Sequence, residues 1–213
     1  GLILPGEFII LAEETGLILP VGEWVLHHAC AQWRASRSAG RTPPRISVNV
    51  SARQFGDHTL VERVARVLKE EDMRPKALEL EITESTVMHD VRATGEILAA
   101  MDALGVRLAV DDFGTGYSSL AYLKRFPLDT LKIDAAFIHD LPGDADDAAI
   151  TQASIALGHK LGFELVAEGV ENLEQLEFLQ RWDCDLMQGY YLSRPLAVPQ
   201  AVSFVEAYRH GAH

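Results

Sequence analysis

The sequence predicts an α/β fold, a barrel of parallel strands alternating with helices. Three observations carry this. Short apolar runs alternate with longer amphipathic ones along the chain. The runs are rich in Val, Ile and Leu, nearly unbroken by polar residues, as in strands covered on both faces. Polar residues then recur at their ends: Asn49, Glu81, Asp111 with Asp112, Asp134, Glu168 and Gln188. The successive spacings are 32, 30, 23, 34 and 20 residues, about one strand–helix repeat each. A βα barrel gathers functional groups at the C-terminal ends of several strands. An open doubly wound sheet is the competing architecture, and it places its site at one switch point instead.

The elements follow in order. Helices at 6–15 and 20–36 open the chain, parted at Gly16, and SAGRTPPR (38–45 with its flank) reads as a loop. Strands are expected at 45–50, 77–82, 106–111, 130–134, 163–168 and 184–189. Helices are expected at 58–70, 90–104, 117–124, 146–161, 172–181 and 197–208. Pro199 sits near the start of the last, where proline is tolerated. Repeated strand–helix units imply right-handed crossovers. Nothing reads as a linker, so residues 1–213 are expected to form one domain. Six strands in 213 residues fall short of the eight strands and roughly 250 residues of a closed barrel. The chain also begins GLILPGEFII, without methionine. It is therefore expected to be a fragment lacking about two N-terminal strands.

Composition narrows the function. The chain is 48% hydrophobic and 23% charged, ordinary for a soluble globular protein. A formal net charge of -12 argues against a basic nucleic-acid footprint, so no DNA partner is expected. An anionic ligand needs metal ions or a local basic pocket. No apolar run is long enough for a bilayer and no signal peptide is visible, so a cytoplasmic domain without membrane contact is expected. Cys30 and Cys184 lack metal-binding spacing and read as buried thiols. His27, His28, His58, His89, His139 and His159 fall on or beside predicted helices and read as surface or packing residues; His210 and His213 read as tail.

The acidic strand ends are the candidate site. So many carboxylates in one barrel mouth repel one another unless cations neutralise them. Hard divalent ions such as Mg2+ and Mn2+ take oxygen ligands. Two such ions sharing a bridging carboxylate is a common arrangement for phosphoester cleavage, with Asp111 as the natural bridge and Asp112 on the second ion. Lys132 lies two residues before Asp134, on the same side of one strand, either as a simple ion pair or as a lysine that Asp134 holds toward the reacting water. Phe113-Gly114-Thr115-Gly116-Tyr117-Ser118-Ser119 has neither the third glycine nor the lysine of phosphate-binding loops. It reads as a loop capping the strand end, with Ser118 or Ser119 free to cap the next helix.

Seven fragments then occur in a telling order: EFIILAEETGLI (7–18), VNVS (48–51), ELEITES (79–85), DDFGTGYSSL (111–120), LKID (131–134), VAEGVE (166–171) and QGYYLSRPL (188–196). Through them the chain resembles the EAL domain family, the cyclic di-GMP phosphodiesterases of bacterial signalling, from its first residues to about residue 205. The resemblance implies a variant TIM (β/α)8 barrel that linearises cyclic di-GMP to pGpG with two Mg2+ or Mn2+ ions. It implies that Asn49, Glu81 and Asp111 ligate one ion and that Asp111, Asp112 and Glu168 ligate the other. Lys132 resembles the residue that contacts the attacking water and Asp134 its neighbour, so Lys132, Glu168 and Asp134 are the catalytic candidates. Glu84 resembles the glutamate that anchors the loop carrying Phe113 and Gly114, and Glu171 and Gln188 match further site positions. The resemblance also implies a homodimer through the DDFG loop and sensory or GGDEF domains upstream. The Glu-Ala-Leu segment that names the family, with its metal-ligating glutamate, does not occur before GLILPGEF. A non-catalytic cyclic di-GMP receptor or scaffold is the alternative reading; an enolase-like lyase fits the ordered fragments less well.

Overall fold

The structure, a computed structural model, describes residues 3–116 and 120–209. Six strands form one sheet: β1 (Ile46–Asn49), β2 (Leu78–Thr83), β3 (Arg107–Phe113), β4 (Thr130–Ile133), β5 (Glu164–Ala167) and β6 (Leu186–Met187). Every neighbouring pair is parallel, and the spatial order is the chain order, β1 to β6. An open doubly wound sheet reverses its order at a switch point. A strictly sequential order is a barrel wall, as expected from the repeat.

Ten helices accompany the strands among the described residues: α1 (Pro5–Thr15), α2 (Ile18–Ser38), α3 (Ala52–Phe55), α4 (Leu60–Glu70), α5 (Glu84–His89), α6 (Val91–Leu104), α7 (Leu120–Leu123), α8 (Ala145–Leu161), α9 (Leu173–Arg181) and α10 (Val198–Arg209). Their starts follow local chemistry. Asp90, Asp144 and Asn172 accept amide N–H bonds from the first turns of α6, α8 and α9. Pro5 opens α1 where its missing N–H costs nothing. The helices against the sheet bury a stripe, Leu26, Cys30 and Trp33 on α2 and Leu60, Val64, Val67 and Leu68 on α4. Among the described residues no helix is long and apolar enough to cross a membrane.

Three expectations need correction. α3 and α5 are short helices that were not among the expected elements. Ser51 closes a capping box with Gln54 to start α3, and a single turn of helix leaves too little apolar periodicity to detect. The last strand is Leu186–Met187, not 184–189. The Asp185 carboxylate accepts the Leu165 N–H at 2.8 Å, so a side chain takes the place of a ladder carbonyl there. Residues 117–119, where the helix expected at 117–124 was to begin and where Ser118 and Ser119 lie, fall outside the described residues, as do His210 and His213.

The third correction concerns the strands' faces. β2, β3 and β4 are largely buried on both sides, but their apolar side chains concentrate on the outer face. Leu78, Leu80 and Ile82 of β2, Leu108 and Val110 of β3, and Leu131 and Ile133 of β4 join the core beneath the helices. The alternate residues of those strands, with those of β1, share the inner face and, Ala109 apart, are polar: Ser47 and Asn49, Glu79 and Glu81, Arg107 and Asp111, Thr130 and Lys132. They form two layers. In the lower one, Glu79, 2% exposed, accepts hydrogen bonds from the Ser47 hydroxyl (2.9 Å) and the Thr130 hydroxyl (2.7 Å). It also pairs with Arg45 Nε and Arg107 Nε, each at 3.2 Å. Both arginines reach on to Glu164, at 2.8 and 2.9 Å. Positive and negative charge are close to balanced there.

Two outcomes follow. Glu79→Ala strands two guanidinium groups and two hydroxyls. It is expected to cost about 3 kcal/mol, the low end for breaking a buried pair because the arginines still reach water; urea unfolding measures it. Burial pushes the thiols of Cys30 and Cys184 up to about 11, with Glu71 adding to it at Cys30. An aromatic disulfide reagent at pH 8 is therefore expected to titrate neither thiol in the folded protein and both after unfolding.

Candidate active site

The upper layer sits at the C-terminal ends of the strands. In register, Asn49 lies beside Glu81, Thr83 beside Asp111, and Lys132 beside Val166. Glu81 lies inside β2 and not at its end, since β2 continues to Thr83. Glu168 follows β5 directly, and its N–H still bonds the Ile133 carbonyl at 3.1 Å.

The two adjacent aspartates pose a geometric problem. On a regular strand, Asp111 and Asp112 would point to opposite faces. The β3–β4 ladder solves it with a bulge. Val110 pairs with Leu131 and Phe113 with Ile133, so Asp111 and Asp112 together stand opposite Lys132 alone. Asp112 takes the extra residue's place with φ 55°, in the left-handed region. That costs about 1 kcal/mol for a residue with a side chain, and aspartate tolerates it better than most. The result is that ligand oxygens of Asp111, Asp112 and Glu168 all lie within 4.8 Å of one another.

One cation of the protein holds this layer. The Lys132 ammonium, 4% exposed, contacts Glu168 Oε1 at 2.6 Å, Glu81 Oε2 at 2.7 Å and Asp111 Oδ1 at 3.1 Å. Burial alone would lower its pKa, but Glu81, then Glu168 and Asp111, outweigh that and raise it. These carboxylates favour its ammonium form. Its holders are these three carboxylates; the carboxylate of Asp134, expected to hold it, instead accepts the Ala136 N–H at 2.7 Å and starts a 3-10 turn, Ala135–Phe137.

Four carboxylates, Glu81, Asp111, Asp112 and Glu168, thus face one ammonium. The deficit shows in their proton affinities. Burial raises the pKa of Asp112, and Asp111 and Asp134 beside it raise it further against the pull of Lys132. Burial likewise raises Glu168, although Lys132 opposes it, and this makes Glu168 a stronger base than an exposed glutamate. An all-oxygen donor set with surplus negative charge fits hard divalent cations.

The loop after β3 is tied down by Glu84, the first residue of α5. Its side chain is 2% exposed, and Oε2 accepts the Gly114 N–H at 2.9 Å. Oε1 has no hydrogen-bond partner among the described residues. Gly114 adopts φ 102°, which only glycine holds without strain. Asn49, Glu171 and Gln188 lie at the exposed rim. The Glu171 N–H bonds the Gln175 side chain at 2.7 Å, and the Gln188 N–H bonds the Ala167 carbonyl at 2.8 Å. The structure thus joins Glu81, Asp111, Asp112, Lys132 and Glu168 in one cluster, with Asp134 beside Asp112, and sets Glu84 behind the loop.

Sequence reasoning missed the bulge. Its one trace was the assignment of two consecutive residues to a single face, which contradicts a period of two. Asp112→Asn keeps a side chain that accepts left-handed backbone and removes one charge. In chelator it is expected to stabilise the protein by about 0.5–1 kcal/mol. The same variant is expected to lose most of the stabilisation that Mn2+ gives the unaltered protein, as thermal unfolding with and without the ion will show.

Comparison with known proteins places this geometry. The family model described as EAL domain matches residues 1–195. The bifunctional diguanylate cyclase/cyclic di-GMP phosphodiesterase MucR of Pseudomonas aeruginosa is 50% identical over 205 residues, 96% of this chain and 30% of MucR. The cyclic di-GMP phosphodiesterase NbdA of the same organism is 45% identical over 212 residues, all of this chain and 27% of NbdA. The chain thus spans less than a third of these curated relatives. A solved structure of the MucR phosphodiesterase in complex with c-di-GMP superposes with a TM-score of 0.92 at 50% identity, covering 94% of this chain and 81% of that one.

Proposed function

The chain belongs to the EAL domain family, and from that premise we propose that it hydrolyses one phosphodiester bond of cyclic di-GMP, giving linear pGpG, with two bound Mg2+ or Mn2+ ions. The observation that carries the reading is the bulge. It spends backbone strain at Asp112 to turn a second aspartate toward Asp111 and Glu168.

Asn49, Glu81, Asp111, Asp112 and Glu168 are the residues that would hold the ions. Bound there, divalent cations neutralise phosphate charge and make water a competent nucleophile near neutral pH. The chain's own groups prepare that chemistry. Lys132 fixes three of the carboxylates in one arrangement before any ion arrives, which is preorganisation. As an ammonium it contributes field and a donor, so the proton of the water needs another acceptor. Glu168 Oε2 is the acceptor we favour, since Oε1 is already committed to Lys132. Asp134 stands beside Asp112 and, by fixing the 3-10 turn, sets the wall of the mouth. Glu171 and Gln188 at the rim are positioned for the nucleotide.

We read residues 1–213 as one barrel unit of a larger cytoplasmic protein, with sensory or cyclase-type domains beyond it and dimerisation through the loop at Phe113 and Gly114. The cyclase activity in the name of the relative MucR supports the reading of a further domain.

The test uses the full-length protein containing this chain. Incubated with cyclic di-GMP and Mg2+ or Mn2+, it is expected to release pGpG, measured by chromatography. Chelator is expected to stop the reaction, and Asp112→Asn to slow it by at least about 100-fold. Tight ligand binding with no turnover under both ions would replace this reading with that of a receptor.

A further inference from the structure

We infer that Phe137 is a positioning residue for Asp112, acting through Gly114. The identity of the ions it serves rests on the proposed function; the contact itself does not.

Asp112 needs support because its backbone is left-handed and its side chain is repelled by its neighbours. Some of that support is local. Its N–H donates to Asp111 Oδ1 at 3.0 Å, and its carbonyl accepts the Thr115 hydroxyl at 2.8 Å. These bonds close the turn but do not fix where it sits. Two groups from elsewhere do that. Glu84 Oε2 draws on the Gly114 N–H at 2.9 Å. Phe137 stops the glycine from the other direction. A Cβ built on Gly114 would lie 2.8 Å from Phe137 Cε2 and 3.3 Å from Cζ, so the ring covers the space a side chain would need. Gly114 is thus held by a bond to Glu84 and a steric stop at Phe137, two residues after Asp112.

The stop is itself well founded. Phe137 closes the 3-10 turn that Asp134 starts, and its ring packs against the core. Its carbonyl accepts the hydroxyl of Thr151, a fully buried residue of α8, at 3.1 Å. The exit of β4, which carries Lys132, therefore dictates the position of the loop that leaves β3. This couples the lysine and the second aspartate through packing, without a direct bond between them.

The experiment compares the full-length protein with its Phe137→Ala and Phe137→Met variants. Methionine refills the space with a flexible apolar chain. Three readings are taken: hydrogen exchange of the Gly114 amide, Mn2+ affinity by calorimetry without nucleotide, and kcat and KM for cyclic di-GMP. In Phe137→Ala the Gly114 amide is expected to exchange about 10-fold faster, Mn2+ affinity and kcat to fall about 10-fold, and KM to stay within about twofold. Phe137→Met is expected to recover most of each loss. Unchanged Gly114 exchange and unchanged Mn2+ affinity in Phe137→Ala would overturn the inference. So would equal losses in both variants that simply track a fall in Tm. If the unaltered protein turns over no substrate, the functional reading fails, while amide exchange still decides the role of Phe137.

Discussion

The arrangement of the site depends on a single ammonium group. Lys132 Nζ lies within 3.1 Å of three carboxylates from β2, β3 and the end of β5. Burying a charge is costly unless partners compensate, and here each side compensates the other. Without the lysine, Glu81, Asp111 and Glu168 would be forced apart by repulsion. The strands that carry them are adjacent and parallel, so spreading the carboxylates would strain the ladder. The lysine lets the sheet keep its register while its inner face stays acidic.

The two layers of that inner face differ in purpose because they differ in charge. The lower layer sets Arg45 and Arg107 against Glu79 and Glu164, with Ser47 and Thr130 filling the remaining acceptor positions of Glu79. It is nearly neutral and fully bonded, which suits a plug that holds strands together. The upper layer has one cation for four carboxylates and leaves Asp112 with a raised pKa. A layer meant only for stability would not carry that surplus. Perturbed groups clustered at one mouth mark the place where the fold has given up stability for binding.

The bulge shows the same trade in the backbone. A regular β3 would be less strained and would send Asp112 outward. Instead Asp112 sits at φ 55°, and the following loop is fastened by Glu84 through Gly114. The strain is small against the stability of a domain, but it persists only because the surroundings over-determine it.

Much of this was legible in the sequence. The strand–helix alternation, the six strands to within two residues at each end, and the acidic strand ends all follow from residue type and period, which are local properties. Belonging to the EAL family was visible in seven ordered fragments, and the family comparison agrees. The rest required tertiary structure, because it concerns which groups meet. Lys132 and Asp134 share a strand end in sequence, yet the lysine's partners come from residues 21 to 51 positions away, a pairing set by strand order. The polar lower layer was hidden because Glu79 and Arg107 look like interruptions of apolar runs until both faces of the sheet are seen. Tandem aspartates stated the chemistry by themselves. Only the ladder between β3 and β4, with two residues facing one, decided that both could serve the same site, since register is a property of two strands and never of one.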